Sequence, residues 1–104
     1  MRKIEKAMCA AVSARRNWSC GNTLVQVRDG GNWVKVFLHG NLIYTDCQES
    51  EVKQFTLAGW NTTTTRSRLN ALGCGVSTRK DRNSYTSTPY HNGQAICTNK
   101  WYRI

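Results

Sequence analysis

Between Thr23 and Leu57 the chain alternates apolar and polar residues in short runs, each broken by glycine, asparagine or aspartate. Period-two runs bounded by turn residues predict strands, and the short connections between them predict antiparallel pairing. Thr23–Arg28 reads as a first strand of this kind and Asp29-Gly30-Gly31-Asn32 as a hairpin connection. Trp33–His39 follows, with Val34, Val36 and Leu38 on one face and Trp33, Lys35, Phe37 and His39 on the other. His39-Gly40-Asn41 makes a tight turn into a third strand, Leu42–Thr45, and Val52–Leu57 supplies a fourth, with Phe55 and Leu57 inward. The Trp33 face admits two readings. Interleaved rings and cations suit a nucleic-acid platform, because bases stack on rings and phosphates pair with cations. The simpler expectation is a strand buried on both sides, with a helix covering Trp33 and Phe37.

Two helices flank this meander. Residues 3–16 place Ile4, Met8 and Ala11 or Val12 at helical spacing, with Lys3, Lys6, Arg15 and Arg16 outside. Arg15 and Arg16 fall in the last turn, where cations suit the helix dipole. Residues 17–22 read as a break. The second helix lies in TLAGWNTTTTRSRLNALG, residues 56–73. Leu69 and Leu72 share a face there, and Gly73 ends the helix, which spans about residues 63–72. Beyond it come a short strand at Gly75–Thr78 and the basic cluster Arg79-Lys80-Asp81-Arg82. Polar and aromatic residues then alternate from Asn83 to Tyr90, and Asn92-Gly93 marks a hairpin turn. Ala95–Cys97 and Lys100–Ile104 are strand-like. The expected fold is α+β, a single domain over residues 1–104, whose C-terminal β segment either joins the sheet or forms its own hairpin.

The start of the second helix is the chemically richest part. Thr62, Thr63, Thr64 and Thr65 fall where backbone N–H groups lack intrahelical partners, and Arg66 and Arg68 follow at once. Cations there oppose the helix dipole unless an anion is present. One reading makes the threonines simple caps and the arginines solvated. The other gathers the hydroxyls, the free N–H groups and both guanidinium groups around a phosphate. On the second reading Arg79, Lys80 and Arg82 join the same basic face, and Trp33, Trp60 or Tyr85 stack on bases.

Fifteen Lys and Arg against six Asp and Glu give a net charge of +9, a field that recruits polyanions. Cys9, Cys20, Cys47, Cys74 and Cys97 are odd in number and widely spaced, without a CxxC, so reduced thiols are the expectation and zinc has no spacing to support it. Asp46, Glu49 and Glu51 fall in an apparent acidic turn and read as solvated. No nucleophile elbow, phosphate loop or metal helix is present, and no cofactor is expected. Glu5 and Lys6 interrupt the apolar stretch that a signal peptide would need.

GNTLV (21–25), VFLHGNLI (36–43), the 56–73 stretch, PYHNGQAI (89–96) and the terminal WYRI together resemble a set of small uncharacterised proteins of tailed bacteriophages. The resemblance covers residues 21–104 and leaves the N-terminal helix outside. It implies a phage or prophage origin and the cytoplasm of an infected bacterium, and it transfers no catalytic residue.

The functional expectation is a non-catalytic accessory protein of counter-defence or host takeover. Its partner is a phosphate-bearing ligand, either nucleic acid or a signalling nucleotide, held on a basic face. The alternative is a stoichiometric inhibitor docking on an acidic surface of a host defence complex. Four tryptophans in so short a chain also make a homodimer plausible.

Overall fold

The computed structural model describes residues 2–80 and 87–104, and the fold is α+β as the patterning predicts. Helix α1 (Lys3–Ala14) leads into strands β1 (Trp18–Cys20), β2 (Thr23–Arg28), β3 (Trp33–Leu38), β4 (Asn41–Cys47) and β5 (Val52–Phe55). Helix α2 (Thr63–Ala71) follows, then β6 (Val76–Lys80), β7 (Ser87–His91), β8 (Gln94–Ala95) and β9 (Tyr102–Arg103). An antiparallel sheet runs in the order β1-β2-β3-β4-β5-β9, and β6-β7-β8 form a second, smaller sheet. The two alternatives for the C-terminal segment are therefore both realised, one by β9 and the other by the β6–β8 hairpins.

Alternation sorts the side chains of the main sheet. Val25, Val34, Val36, Leu38, Tyr44 and Phe55 point inward and are buried. Met8, Ala11 and Val12 of α1 and Leu69 of α2 close over them in one core cluster, with Leu57, Cys74 and Val76. Burial of this apolar surface is the main source of stability, at about 25 cal/mol per Å² removed from water. A bulge shapes β4. Val36 pairs with Tyr44 while Phe37 pairs with Leu42, so Ile43 is an extra residue in the strand. Ile43 and Tyr44 are consequently both buried, and Asp46 is turned inward after them.

Several local expectations change. The segment read as a break contains β1, which pairs Trp18 with Val25 and Cys20 with Thr23. Three residues are too few for alternation to register. Asp46 is not in a solvated turn but in β4, buried and ion-paired to Arg15 at 3.5 Å. Arg15 does not neutralise the end of α1. It adopts a left-handed backbone just past the helix and donates to the carbonyls of Gly31, Asn32 and Asp46, fastening α1 to the β2–β3 turn and β4. Helix α2 ends as its sequence predicts. Gly73 has φ +87°, its N–H reaches the Asn70 carbonyl, and the Cys74 N–H reaches the Leu69 carbonyl, a Schellman ending. Asn92 and Gly93, at φ +53° and +77°, turn β7 into β8.

Candidate functional site

The residues expected to gather at the start of α2 divide among four places. Thr62 is the N-cap, its hydroxyl accepting from the Thr65 N–H at 3.1 Å and sharing a 2.8 Å hydrogen bond with the Thr65 hydroxyl. Thr65 is buried, Thr64 half-buried and Thr63 exposed. Capping is what Thr62 and Thr65 do. Arg66 curls back on the preceding loop, donating to the Asn61 carbonyl at 3.0 Å and to its Oδ1 at 2.6 Å. Asn61 in turn donates to the Thr78 hydroxyl and the Ser87 carbonyl, tying the helix start to the β6–β7 hairpin.

Arg68 leaves the expected basic face altogether. It is 4 % exposed, and its Nη1 lies 2.7 Å from Glu5 Oε2. Its Nε donates to Thr23 Oγ1 at 3.1 Å, and Ser67 adds a 2.5 Å hydrogen bond to the same Glu5 oxygen. Burial pushes the Glu5 carboxyl up, but these hydrogen bonds and the Arg68 charge outweigh it and hold the carboxyl below its usual range. Arg68 falls in the last turn of α2, where a cation does not oppose the dipole, and an acid from α1 meets its charge. Arg66, nearer the start, is held by Asn61 of the preceding loop.

Arg79 and Lys80 lie exposed on β6, and the Arg79 guanidinium stands 4.5 Å over the Tyr90 ring. Arg82 and Tyr85 fall outside the described residues. Trp60 is exposed on the loop before α2. Trp33 is on the main sheet, apart from all of these.

The surroundings of Trp33 overturn the expectation of a helix covering that face. Both helices and the second sheet meet the main sheet on its inward side, where Phe55 makes an edge contact with His91 of β7. The outward side carries Leu24, Gln26 and Arg28 from β2, facing Phe37, Lys35 and Trp33 of β3 in cross-strand register. Leu42 continues it on β4, beside Thr45 and Cys47, which face the same way but are buried, and Arg103 with Gln54 follows at the far strands. None of Leu24, Trp33, Phe37 and Leu42 belongs to the core cluster or packs against it. Leu24 is 40 % exposed, a large apolar side chain left on an open sheet.

The charge of this face has one dominant sign. Arg28, Lys35 and Arg103 stand on it, and none enters either ion pair seen among the described residues. Glu5 and Asp46 are buried on the other side, Glu49 lies beyond the end of β4, and Glu51 borders a depression with Arg103 at the far edge. Asp29, in the β2–β3 turn, borders the depression formed with Arg28, Trp33 and Lys35. Along β3 the two rings are four residues apart, roughly 13 Å, with the Lys35 ammonium between them. Arg28, Gln26, Leu24 and Arg103 were not singled out from sequence. The signal for the first three was the four-residue turn, since pairing Arg28 with Trp33 across it fixes the rest.

Among the described residues no three of His, Cys, Asp and Glu converge to hold a metal ion. No described helix is long and apolar enough to cross a membrane. No curated protein and no solved structure matches the chain. The family model described as Kyanoviridae Gp96 protein matches residues 1–102, so the likeness takes in α1 as well as the segment from residue 21 onward. The chain belongs to this family of phage proteins.

Proposed function

We propose that this phage protein is a non-catalytic accessory protein that binds single-stranded nucleic acid on the open face of its main sheet, in the service of counter-defence or host takeover. The observation that carries the reading is the juxtaposition of half-buried Trp33 and Phe37 with Arg28 and Lys35 on the side of the sheet opposite the core cluster. Bases of a single strand are free to stack on rings, whereas those of a duplex are already stacked on one another. Phosphates between successive bases would meet Lys35, Arg28 and Arg103. The net charge of +9 supplies the long-range attraction.

The test is fluorescence anisotropy of labelled single-stranded DNA, RNA and duplex DNA, titrated with the protein at low and physiological salt. Binding that favours single strands and weakens steeply with salt is the expected result. Trp33→Ala with Phe37→Ala should abolish most of the preference; both rings are half-buried, so the double variant is compared at a temperature where circular dichroism shows it folded. Negligible binding to all three nucleic acids at low salt would sink the reading. The same cationic face would then point to docking on an acidic host protein.

A further inference from the structure

A cavity of about 500 Å³ opens where the β3–β4 turn, the loop after β5 and the start of α2 meet. Its volume lies within the roughly 300–1,000 Å³ of small-molecule sites. The floor is aliphatic, made by Leu38, Ile43 and Leu57, all buried. The rim is polar, with His39, Asn41 and the hydroxyls of Thr62 and Thr64. Trp60 forms one wall and is 59 % exposed, more than any other large apolar side chain among those described.

An indole so exposed would ordinarily be mobile, but its backbone is fixed on both sides. The Gly59 N–H donates to the Thr98 carbonyl at 2.7 Å and the Trp60 N–H to the Leu57 carbonyl at 2.9 Å. Asn61, the next residue, is held by Arg66 and holds the β6–β7 hairpin. The ring is therefore presented from a braced loop, which lowers the entropic cost of placing a partner against it.

The floor of the cavity belongs to the inward side of the sheet, and the cavity adjoins the outward face at the β3–β4 turn. The depression containing Arg28, Trp33 and Lys35 shares Gln26 with a second one containing Leu24 and Phe37. The second shares His39 with the cavity. A strand lying along β2 and β3 would therefore round the β3–β4 turn at His39 to reach Trp60.

We infer that this cavity receives one unstacked nucleoside of the strand bound on the sheet face, its base against Trp60 and the aliphatic floor and its polar edge toward the rim. The inference rests on the reading of the face as a single-strand platform. A planar ring suits the site because the floor offers only dispersion and apolar contact, while the hydroxyl, amide and imidazole groups of the rim can both donate and accept.

The test uses an oligodeoxynucleotide carrying 5-iododeoxyuridine, irradiated in complex with the protein, with crosslinked peptides mapped by mass spectrometry. Crosslinks at Trp60 as well as on the sheet face are expected. Trp60→Ala should weaken strand binding by about tenfold, the scale of one lost base–ring stack, and Trp60→Phe should recover most of it. Because the Trp60 side chain is exposed, both variants should unfold at the temperature of the parent. Crosslinks confined to the sheet face, with Trp60→Ala binding as tightly as the parent, would overturn the cavity inference and leave the face reading intact. The inference would equally fail if a free nucleoside monophosphate blocked crosslinking at Trp60 without competing for the strand, which would mark a separate mononucleotide site. Absence of strand binding by the parent protein would overturn both readings together.

Discussion

Arg68 and Glu5, 63 residues apart in the chain, form a buried ion pair of 2.7 Å that joins the two helices, and the same guanidinium bonds Thr23 of β2. Removing one partner strands the other charge in the core, a loss that typically costs about 3–5 kcal/mol. Glu5→Ala and Arg68→Ala should each destabilise the fold on that scale in chemical denaturation. Glu5→Leu combined with Arg68→Met should recover most of the loss, because apolar packing replaces the pair without leaving a charge behind. A loss of strand binding in Arg68→Ala would then follow from unfolding and should vanish in the repacked double variant. Weak binding by that double variant, stably folded, would instead give Arg68 a direct role.

The Glu5 carboxyl also makes stability depend on pH. Its folded value is held below the ordinary 4.5 by hydrogen bonds from Ser67 and Arg68 that outweigh the effect of burial. A carboxyl lowered on folding contributes stability that is complete above its unfolded value and disappears as pH falls through its folded value. The advantage of the parent over Glu5→Gln in thermal unfolding should thus be constant from pH 7 down to about 5 and shrink below about 4.5. A difference independent of pH between 7 and 3 would contradict the assignment.

The strands of the meander were legible because alternation and turn residues both act over a few positions, and Asp29–Asn32 and His39–Asn41 set the β2–β3 and β3–β4 connections. The short helix was legible for a similar reason, since Thr62 and Gly73 carry its two ends. Arg68 was misplaced because its partner lies 63 positions away. On sequence alone its proximity to four threonines looked like a site for an external anion, when the anion was Glu5. The open face was half legible. Alternation put Trp33, Lys35 and Phe37 together, but only the tertiary arrangement decides that both helices pack on the other side. The cavity at Trp60 had no local signal, because its floor comes from β3, the bulge at Ile43 and the end of the Leu57 segment.

The cysteines should divide by access. Cys20 and Cys97 are exposed, Cys9 is half-buried with its thiol donating to the Ala71 carbonyl, and Cys47 and Cys74 are buried. Burial pushes the Cys74 thiol up to about 12. An aromatic disulfide reagent at pH 8 should modify Cys20 and Cys97 quickly and reach Cys74 only on unfolding. A thiol whose value rises on folding contributes stability that is full below its unfolded value near 9 and is lost as pH climbs toward 12, so Cys74→Ala should flatten the alkaline fall in stability. Rapid labelling of Cys74 in the native protein would mean that the junction of α2 with β6 opens readily.

Salt dependence separates the residues that meet phosphate from those that meet bases. Each phosphate contact on a single strand contributes about 0.7 to the slope of log affinity against log salt. Arg28→Ala, Lys35→Ala and Arg103→Ala, all on the open face and outside the observed ion pairs, should each reduce the slope by about that amount. Phe37→Ala should lower affinity by about 1–3 kcal/mol at every salt concentration and leave the slope unchanged, because a lost stack releases no counterion. Arg66→Ala is expected to move the slope little, since that guanidinium is already bound to Asn61. A slope that falls with Arg79→Ala or Lys80→Ala and ignores Lys35→Ala would transfer the phosphate track from the main sheet to the β6–β7 hairpin. The rings of Trp33 and Phe37 would then lie on a face without a strand to stack on them, and their substitution should leave binding untouched.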